Sequence, residues 1–493
     1  MLLRYFYDHK LAQASYFVGC QETGEAIVVD PARDIQPYID AAESDDMRIV
    51  ATTETHIHAD FVSGSRELAE LVGATLYLSD CGDEEWKYGF AGQYDHNLLQ
   101  DGDSFKVGNL RFEVLHTPGH TPEHISFLLT DTVSADRPMG IFTGDFVFVG
   151  DIGRPDLLEK AAGFVDTAEI GARQMFQSLQ RFRPLPDYLQ VWPGHGAGSA
   201  CGKDLGAVPT STVGYEKLFN WAFNVADEEE FVKKLLADQP EPPRYFAVMK
   251  RVNKEGPEVL HNLKPCGRPT GPLSRQLPRE LPFDALVPLL EEGLPLVDTQ
   301  SPELFANGHI PGTLNIPLES SFTTWAGWLL DYHQPYYLIT DRRNLPEVIH
   351  HLSSIGLDNC AGFFDSMIFL SWLAAGLSPA SYQVLQPQEA AKHLSENESI
   401  LIDVRNQSEW DEGHIPGAEH MMLGYLLEQA SGIPKDKDII VQCRAGMRSA
   451  IAVSILRAQG FESVSNLSGG IQAWQESGLP TTTDPNHVEP FVE

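Results

Sequence analysis

An α/β protein built as several layered domains is what the sequence predicts, on three observations. The chain has 493 residues, and at roughly 100–200 residues per domain that is about three domains. Residues 1 to about 250 repeat one pattern, a short apolar run ending in a loop rich in His, Asp and Gly. Beyond residue 281 the sequence answers itself: VDTQSPELFANGHIPGTLNIPL from Val297 matches IDVRNQSEWDEGHIPGAEHMML from Ile402.

In the N-terminal half, IVATTE runs into THIHADF, RFEVLH into TPGHTPEH, GIFT into GDFVFVG and YLQVW into PGHGAG. Apolar runs of this length bounded by polar loops read as buried strands. Helical stretches such as SRELAELVG and the region Glu159–Arg183 lie between them, giving the α/β class. Strands that all end in polar loops place those loops on one rim. From Asn253 to Leu281 the chain is dense in Pro and Gly without apolar periodicity and reads as a linker. In the repeat, Asp298 matches Asp403 and His309 matches His414, both 105 residues on, while Trp372 matches Trp474 at 102. The expected domains are therefore 1–252, a linker 253–281, and two copies of one small fold at 282–380 and 381–493, each a parallel sheet wrapped by helices.

Charge and composition exclude several roles. With 69 acidic against 35 basic residues the formal charge is −34, which repels phosphate backbones, so no nucleic-acid partner is expected. Hydrophobic residues at 42% and charged residues at 21% describe a folded chain rather than a disordered one. No apolar stretch has the ~18 residues of a membrane span, and the start MLLRYFYDHK lacks the apolar core of a signal peptide, so a cytoplasmic location is expected. The six scattered cysteines, Cys20, Cys81, Cys201, Cys266, Cys360 and Cys443, form no disulfide framework and read as free thiols. The run ADEEEF at Ala226 reads as a solvated helix face.

Two places carry chemistry. His56, His58 and Asp60 sit in one loop, followed by His120, Asp145 and His195, each at the end of an apolar run. Imidazoles and carboxylates converging on one rim can hold a divalent metal. His56, His120 and Asp145 would form a two-His-one-carboxylate face with open positions, the arrangement of non-haem Fe(II) oxygenases; with His58 added, the set leans toward zinc and an activated water. The second place is Cys443, which opens the loop CRAGMR between a strand and a helix. Loop N–H groups, the helix N-terminus, Arg444 and Arg448 all favour a thiolate nucleophile there.

The first set resembles the metallo-β-lactamase fold, an αββα sandwich whose first motif is HxHxDH. Here Phe61 stands in the last place, and a phenyl ring ligates nothing, which favours one metal. THIHADFVSG, HTPGHTPEHISF, TGDFVFVGDIGRPD and VWPGHGAGSACGK together are similar to the persulfide dioxygenase branch of that fold. The resemblance implies one Fe(II) per chain on His56, His120 and Asp145, with His58, Asp60 and His195 around it. It also implies that Arg154 holds the anionic part of a low-molecular-weight thiol persulfide, oxidised with O2. Glutathione-using members carry a tyrosine soon after the last motif histidine. Gly196 and Ala197 follow His195 here, so the sequence does not mark glutathione as carrier. Cys201, six residues past His195 in a glycine-rich loop, is a candidate auxiliary persulfide carrier.

The loop at Cys443 with DVR, GHIPGA and GGIQAW resembles the rhodanese sulfurtransferases, which implies that Cys443 carries a sulfane sulfur and hands it to sulfite. Four residues separate Cys443 from Arg448, one fewer than in a CX5R phosphatase loop. In the first copy Asp341 occupies the cysteine position, making that copy catalytically inert, with Arg342 and Arg343 read as surface salt-bridge partners. The whole order resembles bacterial persulfide dioxygenase–sulfurtransferase fusions, for which a homo-oligomer is expected. Two rival readings remain at this stage: a zinc thioester hydrolase of glyoxalase II type with a passenger rhodanese, and a non-oxidising persulfide relay.

Overall fold

The computed structural model describes the whole chain except residues 158, 160–166, 204, 238, 261–276, 397–398 and 485–493. The chain divides into two compact units, unit 1 (Met1–Lys264, Gly271–Arg275 and His350–Gly356) and unit 2 (Pro265–Thr270, Gln276–Ile349 and Leu357–Glu493).

Unit 1 contains two six-stranded sheets. The first runs β1 (Leu2–Asp8), β2 (Gln13–Cys20), β3 (Glu25–Val29), β4 (Arg48–Thr53), β5 (Thr75–Ser79) and β6 (His96–Leu99) in spatial as in chain order. The second contains β7 (Ser104–Val107), β8 (Leu110–His116), β9 (Ile125–Asp131), β10 (Gly140–Gly144), β11 (Gln190–Pro193) and β12 (Ser211–Thr212), also laid out in order. Side-chain alternation explains the layering. In β2, Ala14, Tyr16, Val18 and Cys20 enter one core with Phe105, Phe112, Phe127, Phe142 and Trp192 of the second sheet. Phe17 points the other way, into a cluster with Tyr38 and Ala42 of α1 (Gln36–Ser44) and Leu68 of α2 (Ser65–Val72). On the far side α3 (Thr167–Phe182) supplies Met175, Phe176, Leu179 and Phe182 against Ile141 and Val191. This is the αββα sandwich, with both sheets apolar on two faces as their strand sequences require.

Unit 2 holds the repeat as two parallel sheets. One has the order β14 (Leu314–Asn315), β13 (Leu296–Asp298), β15 (Tyr336–Thr340), β16 (Cys360–Asp365). The other has β17 (Val384–Leu385), β21 (Val464–Leu467), β20 (Ile439–Gln442), β18 (Ile400–Asp403), β19 (Glu419–His420). Read from its far edge the second repeats the first, with β17 added. The shared GHIPG motif does structural work in both copies. His309 stacks on Phe305 at 3.8 Å and His414 on Trp410 at 3.6 Å, each ring Nδ1–H donating to the carbonyl four residues back. Trp372 donates to the Ser378 carbonyl and Trp474 to that of Pro480.

The linker expectation needs correction at its ends. Helix α4 (Tyr245–Glu255) runs past Asn253, and Arg279 and Leu281 exchange backbone hydrogen bonds with Phe363. Proline and glycine density hid both. Residues 261–276, Cys266 among them, lie outside the described residues, as does part of the helical stretch expected from Glu159. Among the described residues no helix is long and apolar enough to cross a membrane.

Candidate functional sites

The expected metal residues arrive from four strand ends. His56, His58 and Asp60 follow β4, His120 follows β8, Asp145 follows β10 and His195 follows β11. All six are buried. Donor atoms of His56, His120 and Asp145 lie within 4.8 Å of one another, with Asp145 Oδ2 at 4.0 Å from His56 Nε2 and 3.5 Å from His120 Nε2.

The imidazoles are held for ligation. His120 Nδ1 donates to the Arg154 carbonyl and His195 Nδ1 to that of Ala12, both at 3.0 Å. His56 Nδ1 meets Thr55 Oγ1 at 3.0 Å, and that hydroxyl in turn donates to Asp30. Each bond fixes the tautomer that leaves Nε2 as a lone pair. Burial and the neighbouring imidazoles hold His56 well below its ordinary pKa, and burial lowers His120 despite Asp145. Both are neutral, as ligands must be.

A cation fits this pocket on an observation independent of any relative. His56 Nε2, His195 Nε2 and both carboxylate oxygens of Asp60 and Asp145 are buried without a hydrogen-bond partner. Each such orphan costs about 1–3 kcal/mol; His195 Nε2 lies 3.2 Å from Asp60 Oδ2 and 3.5 Å from Asp145 Oδ1, and an ion among these groups would satisfy all six atoms.

His58 is placed otherwise. Its Nε2 pairs with Asp30 Oδ1 at 3.1 Å, and although burial opposes it, Asp30 raises its pKa to about 9. Phe61 is buried with its ring 4.4 Å from that of His58. Asp60, His195 and Cys201 form a second group of donors within 4.8 Å. The sequence offers Cys201 only as an auxiliary persulfide carrier and does not place its thiol beside Asp60 and His195. Burial, then Asp60 and Asp145, push the Cys201 thiol well above its ordinary pKa, so it is not a free thiolate. Arg154 is fully buried, with two nitrogens on the Asp156 carboxylate at 2.6 and 2.7 Å and a third on the Ala200 carbonyl. Its guanidinium is thus engaged by the protein.

Three residues that organise the site carried no sequence signal strong enough to select them. Asp30, at φ +49°, accepts from Thr55 N–H and Thr55 Oγ1 and pairs with His58. His124 accepts the Asp145 N–H. Asn253, assigned to the linker, donates to the His58 and Phe61 carbonyls at 2.7 Å and accepts from Ser63 N–H, clamping the HxHxD loop.

In unit 2, Cys443 follows β20 directly and is buried. Its sulfur accepts from Gly446 N–H at 3.1 Å and from Ser449 Oγ at 3.4 Å. Gly446, at φ +97°, opens α5 (Met447–Ala458), so the loop curls around the thiol as expected. Arg444 is exposed. Arg448 is not open to a ligand as the sequence suggested: both terminal nitrogens hold Glu409 at 2.6 and 2.7 Å. Asp341 follows β15 and is exposed, and Arg342 pairs with Glu280.

A metallo-β-lactamase of Staphylococcus aureus subsp. aureus COL, seen by crystallography, is 44% identical to this chain, covers 74% of it and 98% of its own length, and superposes with a TM-score of 0.64. The chain belongs to the metallo-β-lactamase superfamily. The superfamily model matches residues 10–195 and a rhodanese-like domain model matches 386–477, so the protein is a fusion of the two. Its metallo-β-lactamase half is 27% identical to the mitochondrial persulfide dioxygenase ETHE1 of Bos taurus, over 47% of this chain and 80% of the relative. It is also 31% identical to the hydroxyacylglutathione hydrolase of Rhodospirillum rubrum, over 38% of this chain and 65% of the relative. Superfamily membership and the buried His/His/Asp group agree on a metal centre.

Proposed function

We propose that the chain is a persulfide dioxygenase and sulfurtransferase, oxidising a low-molecular-weight thiol persulfide with O2 to sulfite and thiol, and moving a second sulfane sulfur to sulfite to give thiosulfate. The observation that carries this reading is the His56, His120 and Asp145 face, in which His56 Nε2 and both Asp145 carboxylate oxygens have no hydrogen-bond partner, a donor set suited to one Fe(II). When bound, Fe(II) supplies the redox activation of O2 and of the persulfide sulfur. The chain's own residues do the rest. His56 and His120 offer Nε2, held in place by Thr55 and by the Arg154 carbonyl. Asp145 offers a carboxylate, steadied by its own N–H on His124. Phe61 keeps the wall dry. The overall balance is RSSH + O2 + H2O to RSH and sulfurous acid.

At the second site the Cys443 sulfur attacks the terminal sulfur of RSSH, the S–S bond of the substrate breaks, and thiol leaves. Sulfite then attacks the terminal sulfur of the Cys443 persulfide, the new S–S bond breaks, and thiosulfate departs with Cys443 regenerated. Gly446 N–H and Ser449 Oγ steady the sulfur's negative charge at both stages. Arg448, tied to Glu409, acts by positioning the loop. Arg444 is the exposed cation beside the entering anion, and Arg154 with Asp156 shapes the wall of the first pocket.

A second reading has its own observation. Asp60, His195 and Cys201 offer a second donor group, which, with the likeness to hydroxyacylglutathione hydrolase, suits a zinc thioester hydrolase. Full-length protein given a thiol persulfide and O2 separates the two readings. Ours predicts O2 uptake with sulfite and thiosulfate, and Cys443→Ser abolishing thiosulfate alone. Thioester hydrolysis without O2 uptake would overturn it.

A further inference from the structure

We infer that Asp8, His350 and His351 form a separate binding site for a divalent ion of the zinc class. All three belong to unit 1, and none takes part in the His56 centre. One donor atom of each lies within 4.8 Å of the other two. Two imidazoles and a carboxylate are a borderline donor set of the kind zinc takes, and ligands at about 2.0 Å in a tetrahedron sit about 3.3 Å apart. Closing the cluster therefore needs side-chain movement of about an ångström or so, not backbone rearrangement.

Two features show that the donors are already aimed. Asp8 Oδ1 accepts the backbone N–H groups of Lys10 and Leu11 at 2.8 and 3.1 Å, which leaves Oδ2 facing His350 Nε2 at 4.0 Å. That turn is anchored in turn, because the next carbonyl, of Ala12, accepts Gly196 N–H. On its other edge His350 meets a second carboxylate, Asp34 Oδ2, at 3.5 Å from Nδ1. An imidazole with one nitrogen toward a ligand carboxylate and the other toward an outer carboxylate is the carboxylate–histidine–metal pattern, in which the outer group fixes the tautomer and raises ligand basicity.

The surroundings leave the fourth position open. The cluster lines a cavity of about 370 Å³ with Phe6, Tyr7, Pro37 and Tyr38 among its walls, room for a water or a small anionic ligand on the ion. His351 is buried, while His350 and Asp34 are partly exposed at 41% and 44% of their side-chain surface, so the ion enters from solvent.

The test is equilibrium dialysis of the full chain, carrying the metal it is purified with, against micromolar Zn2+, followed by metal analysis per chain. The parent is expected to take up one further zinc ion. His350→Ala and Asp8→Asn are expected to lose that ion. Asp34→Asn should weaken it about 10- to 100-fold, and His120→Ala should retain it. His350 is partly exposed, so its replacement leaves the core intact, and circular dichroism checks this. Absence of the extra ion from the parent, or equal uptake by the parent, His350→Ala and Asp8→Asn, would overturn the proposal.

Discussion

Two loops occupy the same place in two copies of one fold, and only one of them opens on a cysteine. Cys443 and Asp341 each follow the central strand of a parallel sheet. After Cys443 the backbone turns through Gly446 at φ +97°, and the Gly446 N–H reaches the side-chain sulfur. After Asp341, Asn344 stands in the glycine position, and its N–H goes to the Asp341 carbonyl instead. Arg448 is answered by Pro346, and its partner Glu409 by the exposed Leu304. The scaffold places both loops, whereas the sulfur, the left-handed glycine and the Arg–Glu brace occur together only in the second, where we propose the nucleophile.

Exchanging the nucleophiles should break the comparison most sharply. Cys443→Ser is expected to reduce thiosulfate formation to background, and Asp341→Cys in that background to restore none of it, because in the first loop only the Arg343 N–H reaches the side chain and the Asn344 N–H is turned to a carbonyl. Recovery of transfer would show that the cysteine alone suffices. The next largest effect is expected from Gly446→Ala. A non-glycine residue at that φ costs about 1–3 kcal/mol and withdraws the N–H from sulfur. Transfer should fall at least tenfold, with little change in the rest of the chain by circular dichroism.

Glu409→Gln should cost about 1–3 kcal/mol in denaturant unfolding, the worth of hydrogen bonds between charged groups. Arg448, overcoming burial, holds the Glu409 carboxyl below its ordinary range. Its contribution is therefore present above the usual glutamate pKa and lost as pH falls through the lowered value. The smallest effect belongs to the first copy. Burial holds His309 down to about 4, so the unfolded imidazole binds a proton below its ordinary 6.5 while the folded one does not. Stability should fall as pH drops from about 6.5 toward 4, and His309→Gln should flatten that slope.

Much of this was legible in the sequence because it is periodic or local. The short apolar runs RFEVLH and GIFT, each ending in a polar loop, announce the strands Leu110–His116 and Gly140–Gly144. The offsets between His309 and His414 announce two copies, and the six metal residues mark strand ends. Long-range hydrogen bonds were not legible. Asn253 lies 195 residues from the His58 carbonyl it holds, inside a stretch whose composition reads as linker. Arg448 and Arg154 look like free cations in a motif, and only packing shows each closed on a carboxylate. Cys201 joins Asp60 and His195 through a fold that spacing does not describe.

The central claim is that His56, His120 and Asp145 hold one redox-active iron. Oxygen consumption by the purified, unmanipulated protein on a thiol persulfide, read beside its metal content, tests this most directly. The account predicts iron at one per chain and one sulfite released for each O2 consumed when Cys443 is replaced by Ser. Zinc at two per chain, with no O2 uptake, would contradict it.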